Sequence, residues 1–303
     1  MVNDIPVMAE PPALPVEKVL EALRIAFTDL VQRRAVQPAQ TLTPLVGGGD
    51  VIAYQGVLEG VYGVKVSPYL PQAHGGPVVS AWTLLLSTGT GQPLLLVDSA
   101  ELTAVRTAAT TALAVDLLAR READTLAVVG AGPLARAHLR YARAVRSFAD
   151  VRVYSPAVAE GRRAAGFDDG VRLASSVDEA VSGAHVVLLC TSAARPLLDA
   201  AVLPAETLVT SISTNAPRAH EIDPQALNKL DVYGDHRPTV AGAAGEMVLA
   251  AEAGVWDPSM LRGDLSELLT GGCPPPSGRR PVFFRSVGLG IEDVAVARLL
   301  IEG

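Results

Sequence analysis

The chain has 303 residues, 49% of them apolar and 4% aromatic, which is enough for one or two domains with Ala-, Val- and Leu-rich cores. The net charge of -7, without a basic cluster, argues against nucleic-acid binding. Cys190 and Cys273 form no metal or disulfide pattern, and neither a signal peptide nor an apolar membrane span is evident. We therefore expect a cytoplasmic protein that binds no metal ion, membrane or nucleic acid.

The first part of the chain predicts an α+β unit. Apolar residues recur at helical spacing over residues 15–34. A second helix is predicted over residues 99–119, with Asp98 as its cap. Short apolar segments with Gly-rich breaks predict a mainly antiparallel sheet with a hairpin at 87–92. Its strands fall at residues 50–58, 60–70, 77–87 and 93–98.

Strands and helices alternate in the second part, which predicts βαβ units and a parallel sheet. The expected strands fall at residues 125–130, 151–155, 171–174, 185–190, 207–212 and 230–234. The expected helices lie near residues 133–147, 157–165 and 177–182. Residues 271–281 have no predicted element, and the C-terminal segment is a loop followed by a helix. The fold class is therefore α/β.

A glycine-rich turn joins the first of these strands to its helix. Gly130, Gly132 and Ala135 match the G-x-G-x-x-G/A pattern, in which the glycines allow a tight turn and close approach to a pyrophosphate. Pro133 suits the first helical turn, and the helix N-terminus offers N–H donors to phosphates. Dinucleotide binding is the favoured interpretation, and a glycine turn without a ligand is the alternative.

The residue after the second parallel strand indicates which cofactor is bound. Ser155 stands where an acid would bind the ribose of NAD and repel the phosphate of NADP. Arg162 and Arg163 follow, either as phosphate ligands or on a solvated helix face. We expect NADP(H) to be favoured over NAD(H).

Two cations stand in unusual surroundings. Arg106 lies among Thr and Ala in the second predicted helix, where small neighbours let a carboxylate approach its planar guanidinium. Lys65 lies in an apolar strand, where a buried ammonium needs an anionic partner. Either side chain could instead reach solvent, Arg106 by snorkelling and Lys65 at an edge.

Several segments together resemble the ornithine cyclodeaminase/mu-crystallin family. They are GVKVSPY, LTAVRTAATTALAVDLLA, TLAVVGAGPLARAHL and FRSVGLGIEDVAVARLL, in family order. The resemblance implies a Rossmann domain at residues 120–285, inserted in an α+β substrate and dimerisation domain. That domain would comprise residues 1–119 and be completed by residues 286–303. It also implies a homodimer that acts on a small amino or imino acid.

The resemblance gives the two cations a role. Lys65 and Arg106 would hold the substrate carboxylate. Gln40 stands where the family often has a third cation, so the carboxylate would be bound more weakly or by a different set of residues. Tyr54 is a candidate for recognising the substrate side chain. Further residues implied to bind the cofactor are Pro133, Leu134, Ser155, Thr191, Thr214, Ser286 and Val287.

The segment STNAPRAHEI, residues 213–222, decides between chemistries. Asn215 stands where the family's cyclodeaminases carry an Asp acid/base, and an amide cannot transfer that proton. We therefore favour an NAD(P)H-dependent reductase of a C=N bond next to a carboxylate, with a cyclic ketimine as the best substrate, or the reverse amino-acid dehydrogenation. Asn215 would bind the imine nitrogen or a proton-delivering water.

Two alternatives remain from the sequence. A lyase that recycles NAD in place would need another proton carrier, for which His220 and Asp235 are candidates. A non-catalytic crystallin-like protein would bind cofactor without turnover. Glu292 and Asp293 are expected to serve the dipole of the last helix rather than chemistry.

Overall fold

The structure, a computed structural model, describes residues 5–71, 79–160, 166–167, 170–212 and 218–302. The chain divides into two compact units. The first comprises Met1–Thr107 and Gly288–Gly303, and the second comprises Ala108–Val287.

Strands form a sheet in each unit, and helices connect or cover the strands. In chain order, the strands are β1 (Val7–Met8), β2 (Thr41–Pro44), β3 (Asp50–Leu58), β4 (Val61–Tyr69), β5 (Trp82–Ser87), β6 (Pro93–Asp98), β7 (Thr125–Val129), β8 (Asp150–Tyr154), β9 (Arg172–Leu173), β10 (Val186–Leu189), β11 (Leu208–Ser211), β12 (Asp231–Gly234), β13 (Gly263–Asp264) and β14 (Val282–Arg285). The α-helices are α1 (Val16–Val31), α2 (Ala100–Leu118), α3 (Pro133–Val145), α4 (Pro156–Ala159), α5 (Val177–Val181), α6 (Arg237–Ala243), α7 (Gly245–Glu252), α8 (Leu265–Thr270) and α9 (Gly290–Arg298). None of the described helices is long and apolar enough to cross a membrane.

The first unit is a six-stranded sheet with the order β1-β6-β5-β4-β3-β2. Its pairs are antiparallel except β1 with β6. Helix α9 packs against β3, β4 and β5 and against α1. Because side chains alternate along a strand, one face of this sheet meets α9 and the other faces away.

Two glycines let α9 come close to the sheet. A Cβ at Gly56 of β3 would lie 2.6 Å from the backbone nitrogen of Ile291, and one at Gly63 of β4 would lie 2.5 Å from a methyl of Val294. Neither position has room for a side chain. The N-terminal turn of α9 therefore lies directly on β3, which fixes where its acidic residues stand.

The second unit is an eight-stranded parallel sheet with the order β13-β12-β14-β11-β10-β7-β8-β9. The chain runs from β7 outward through β8 to β9, then returns to the other side of β7 as β10. This reversal is a topological switch point, and in open α/β sheets ligands bind outside the carboxyl ends of the strands there. The predicted fold class, a Rossmann-type parallel sheet inserted in an α+β unit, is confirmed.

The sequence patterns located most of the elements but missed one central strand. The expected strand at 50–58 coincides with β3, and the expected helices at 15–34 and 99–119 contain α1 and α2. Strand β14 was not predicted, although it lies between β11 and β12. A four-residue strand directly after a Pro/Gly-rich loop gives too short a pattern to recognise. The short helices α6 and α8 were missed for the same reason.

The close approach of α9 to β3 yields a stability prediction. Gly56→Ala places a methyl group against backbone atoms, so we expect it to lower the free energy of unfolding by about 1–3 kcal/mol. Gly89→Ala, in the β5–β6 turn, meets no atom nearer than 3.8 Å and is the matched control. Urea unfolding followed by circular dichroism measures both. Equal midpoints for the two variants would contradict the packing argument.

Candidate functional site: a buried cation pair and a nucleotide-binding turn

The first unit buries two cations together with two acids. Lys65 and Arg106 are only 1% and 6% exposed. The Lys65 Nζ donates to the Asp293 carboxylate at 3.0 Å and to the Thr103 hydroxyl at 3.3 Å. The Arg106 Nη1 donates to Glu292 at 2.8 Å, and its Nε lies 3.1 Å from the Asp293 Oδ1. We call Lys65, Arg106, Glu292 and Asp293 the charged cluster.

Three elements bring the charged cluster together. Lys65 points to the α9 side of β4, opposite Tyr54 of β3. Helix α2 supplies Arg106, and the first turn of α9 supplies the two acids. The prediction that Glu292 and Asp293 serve the helix dipole was incomplete, because both acids also pair with the cations.

Burial and charge set the protonation of the cluster. Desolvation, and then the charge of Arg106, lower the pKa of Lys65 to about 8, against the opposing attraction of Asp293. The pKa of Arg106 is instead raised, because the attraction of Asp293 and Glu292 exceeds the effect of burial. The Tyr54 ring lies 4.5 Å from the Lys65 Nζ, in cation–π contact, and burial raises the pKa of its phenol.

This arrangement is suited to holding a carboxylate. With Lys65 charged, the two cations and two anions sum to zero, so the cluster can be buried before any substrate binds. The Arg106 Nε lies 3.1 Å from the Asp293 Oδ1 as an ion pair, but it does not have the alignment of a hydrogen bond to any described residue. Gln40, predicted to take part, is exposed just before β2, and the described residues do not connect it to the cluster.

In the second unit the glycine turn has the geometry that a pyrophosphate requires. Gly130 has a φ of 126°, and a Cβ there would lie 2.5 Å from the carbonyl oxygen of Cys190. Gly132 is the N-cap of α3, and a Cβ there would meet no atom within 4 Å. Pro133 opens the helix, and Ala135 is buried against the sheet. The residues present therefore fit a dinucleotide: open space adjoins the free N–H groups of a 13-residue helix.

A buried histidine supports this turn. The His138 Nδ1–H donates to the carbonyl oxygen of Leu134 at 2.8 Å, so its Nε2 accepts from the Thr111 hydroxyl at 3.1 Å. Burial lowers the pKa of His138 to about 4. The ring is therefore neutral at physiological pH and has a structural role.

Several predicted cofactor and catalytic residues follow the strand ends. Ser155 is buried directly after β8, where the carbonyl of Tyr154 accepts from the Gly130 N–H at 2.8 Å. Thr214 and Asn215 lie outside the described residues, as do Arg162 and Arg163.

A buried glutamate, to which the sequence analysis gave no role, connects the carboxyl ends of two neighbouring parallel strands. Glu221 accepts from the N–H and hydroxyl of Thr191 at 2.9 and 2.7 Å. Its other oxygen accepts from the Ser211 hydroxyl at 2.8 Å and the Ile212 N–H at 3.1 Å. Glu221 thereby joins the ends of β10 and β11 and holds Thr191, a predicted groove residue, in place. The signal in the sequence was an acidic residue near the end of the polar segment 213–222.

Asp235 holds the other loop that was predicted to meet the cofactor. Its Oδ2 accepts from the Val287 N–H at 2.6 Å and the Ser286 hydroxyl at 3.1 Å. Arg285 and Glu246 form a buried ion pair alongside, at 2.7 Å. Asp235 therefore positions a loop here. His220 donates from Nδ1 to the Arg218 carbonyl, which orders its own loop.

Fold and site together define a dinucleotide-dependent oxidoreductase for carboxylate substrates. The model of the Ornithine cyclodeaminase/mu-crystallin family matches residues 19–303, so the chain belongs to that family. The predicted family membership is confirmed.

Relatives with known activities support the same class. The NAD(P)H-dependent anabolic L-arginine dehydrogenase DauB of Pseudomonas aeruginosa is 54% identical over 287 residues, or 93% of this chain and 91% of the relative. The ketimine reductase mu-crystallin of Mus musculus is 27% identical over 93% of this chain and 90% of its own length. The solved Delta(1)-pyrroline-2-carboxylate reductase of Thermococcus litoralis, in complex with NADH and L-proline, superposes with a TM-score of 0.86 at 27% identity, covering 95% and 93% of the two chains.

These findings confirm the predicted function. The protein is an NAD(P)-dependent oxidoreductase of the imine reductase and amino-acid dehydrogenase type. It acts on amino or imino groups, and neither the lyase nor the non-catalytic alternative is favoured.

The lowered pKa of Lys65 predicts how carboxylate binding depends on pH. The cation is present below about pH 8 and lost above it, so valerate, which has no titrating amine, should bind about tenfold more weakly per pH unit there. Isothermal titration of the NADPH-loaded protein between pH 7 and pH 10 measures this. The Lys65→Arg variant should remove the dependence, because arginine does not titrate in this range. A Kd of valerate that does not change with pH in the wild type would contradict this prediction.

Deprotonation of Lys65 weakens carboxylate binding but stabilises the fold. The folded state loses the Lys65 proton near pH 8 and the unfolded state near 10.5. The contribution of Lys65 to the free energy of unfolding therefore rises as the pH increases between these values.

Proposed function

We propose that the protein interconverts an L-amino acid with a cationic side chain, such as L-arginine, and the corresponding 2-imino acid, using NADP(H). The imino acid exchanges with a 2-oxo acid and ammonia by hydrolysis. The observation that carries the proposal is the buried pair of Lys65 and Arg106, in a chain 54% identical to an L-arginine dehydrogenase over 93% of its length.

The two cations would do the binding and orienting. Lys65 supplies a point charge and Arg106 a planar fork, and together they hold both oxygens of the substrate carboxylate. Burial excludes water and makes these bonds stronger than they would be at the surface. With the carboxylate fixed, the neighbouring α-carbon and its nitrogen have one orientation.

A nicotinamide, when bound at the glycine turn, supplies the hydride acceptor or donor for that carbon. We assign Asn215 to the substrate nitrogen, on the sequence alone: its side-chain oxygen accepts from the N–H of a protonated imine, or its amide group binds a water that brings the proton. Because an amide does not itself release a proton, this role suits reduction of an already protonated imine.

A substrate panel tests this assignment. The expected result is the highest kcat/KM for L-arginine, or for its 2-oxo acid with ammonia, over pyrroline-2-carboxylate and piperideine-2-carboxylate. The cyclic ketimines are the second candidates, because relatives 24–27% identical are named for their reduction. Turnover confined to cyclic ketimines would overturn the open-chain proposal. Release of ammonia and proline from ornithine without net cofactor change would show a lyase.

We propose that NADP(H) is the preferred cofactor. Ser155 stands directly after β8, beside the glycine turn, where it places no negative charge against a 2′-phosphate. The 54% identical relative is named NAD(P)H-dependent, which leaves the preference within the pair open.

Exchange of the Ser155 side chain tests this preference. We expect Ser155→Asp to raise the Kd of NADPH by at least about tenfold and to leave that of NADH unchanged or lower, since an acid repels the 2′-phosphate. Fluorescence titration measures both constants. Ser182→Asp, at an exposed position of the same unit, adds the same charge as a control. An unchanged ratio of the two constants would contradict the proposal.

We propose that two chains associate through the sheet face that points away from α9. Val64, Leu84 and Leu96 stand in register on that face of β4, β5 and β6, and all three are half-buried in the single chain. A face of this kind needs an apolar cover. An archaeal alanine dehydrogenase described as a dimer with bound NAD superposes with a TM-score of 0.87 at 25% identity.

Light scattering tests the dimer. We expect a mass of two chains for the wild type and of one chain for Val64→Glu, because the acid would be buried against its partner. Val202→Glu, at a 77% exposed position in the second unit, should leave the mass unchanged. A wild type with the mass of one chain would refute the proposal.

We propose a cytoplasmic location, with which the free thiols of Cys190 and Cys273 are consistent.

A further inference from the structure

The sheet face that carries the charged cluster extends beyond it along β3. Asp50, Ile52 and Tyr54 alternate with their neighbours and therefore point to the same side. That side is the substrate side, because the Tyr54 ring lies over the Lys65 Nζ at 4.5 Å. Asp50 is thus an acid on the same face as the two cations.

The separation along this face matches a long amino acid. Four residues of strand place the Cα atoms of Asp50 and Tyr54 about 13 Å apart. An extended arginine spans about 7 Å between its carboxylate and guanidinium carbons at ordinary bond lengths. The difference of about 6 Å is the room for the side chains and polar contacts at the two ends, so an extended arginine fits between Asp50 and the cations beside Tyr54.

Asp50 is available to bind a cation. Its side chain is half-buried and makes no hydrogen bond or ion pair with any residue that the structure describes. Glu292 and Asp293 differ in this respect, because both already pair with Arg106. The charge of Asp50 reaches the site, since it contributes to raising the pKa of Tyr54.

We infer that Asp50 binds the cationic end of the substrate side chain and sets the preference for basic amino acids. The inference rests on the proposed function. The Lys65 and Arg106 cations would hold one end of the substrate, and the Asp50 carboxylate the other. Neutral side chains of the same shape would then leave a half-buried carboxylate without a partner, which costs affinity.

Comparison of L-arginine with L-citrulline tests the role of Asp50, because citrulline has nearly the same shape and a neutral end group. In Asp50→Asn we expect kcat/KM for arginine to fall by about 10- to 100-fold, mostly through KM, since a hydrogen bond to a charged group is lost. The value for citrulline should not fall, since a neutral end group loses no ion pair and no longer leaves a carboxylate without a partner. The arginine-to-citrulline ratio is therefore the readout, and a merely structural role would lower both values alike.

Glu59→Gln is the matched control, because it removes the same charge at the exposed turn between β3 and β4. It should leave the ratio unchanged. If Asp50→Asn is not folded by circular dichroism, Asp50→Ser is measured in its place. An unchanged ratio in a folded Asp50 variant overturns the inference while leaving the proposed function intact. A wild type that turns over cyclic ketimines but no basic amino acid overturns the proposed function itself.

Discussion

The burial of two cations side by side is the constraint on which the first unit depends. An unpaired charge in a protein interior costs several kcal/mol, and two cations together also repel each other. Two acids on the first turn of α9, at 2.8–3.1 Å from the cations, compensate both effects. Loss of one partner from such a buried pair costs about 3–5 kcal/mol, so the four residues depend on one another.

This constraint explains why the chain returns to its first unit at the end. The ion pair of Lys65 with Asp293 joins residues 228 positions apart, and that of Arg106 with Glu292 joins residues 186 positions apart. The whole second unit lies between the members of each pair. Helix α9 is thus both a packing element, seated on Gly56 and Gly63, and the source of the charges that allow the two cations to be buried.

The sequence could predict what local patterns encode. The glycine turn after an apolar strand predicted where a dinucleotide binds, because strand, turn and helix N-terminus are contiguous. Lys65 and Arg106 were recognisable as unusual, since each lies among apolar or small residues. Their partners were not, because the contacts of Glu292 and Asp293 depend on tertiary packing across nearly 200 residues or more. Glu221 and Asp235 were likewise hidden, since each bonds to strand ends that only the folded sheet brings together.

The central claim is that Lys65 and Arg106 hold the substrate carboxylate. The most direct measurement is the calorimetric Kd of 5-guanidinovalerate, a carboxylate without an amino group, for the NADP+-loaded Arg106→Gln/Glu292→Gln double variant. Replacing both partners avoids leaving a buried acid unpaired. We predict a Kd at least about 30-fold above that of the wild type, with NADPH binding unchanged. Undiminished carboxylate binding by the folded double variant would contradict the claim.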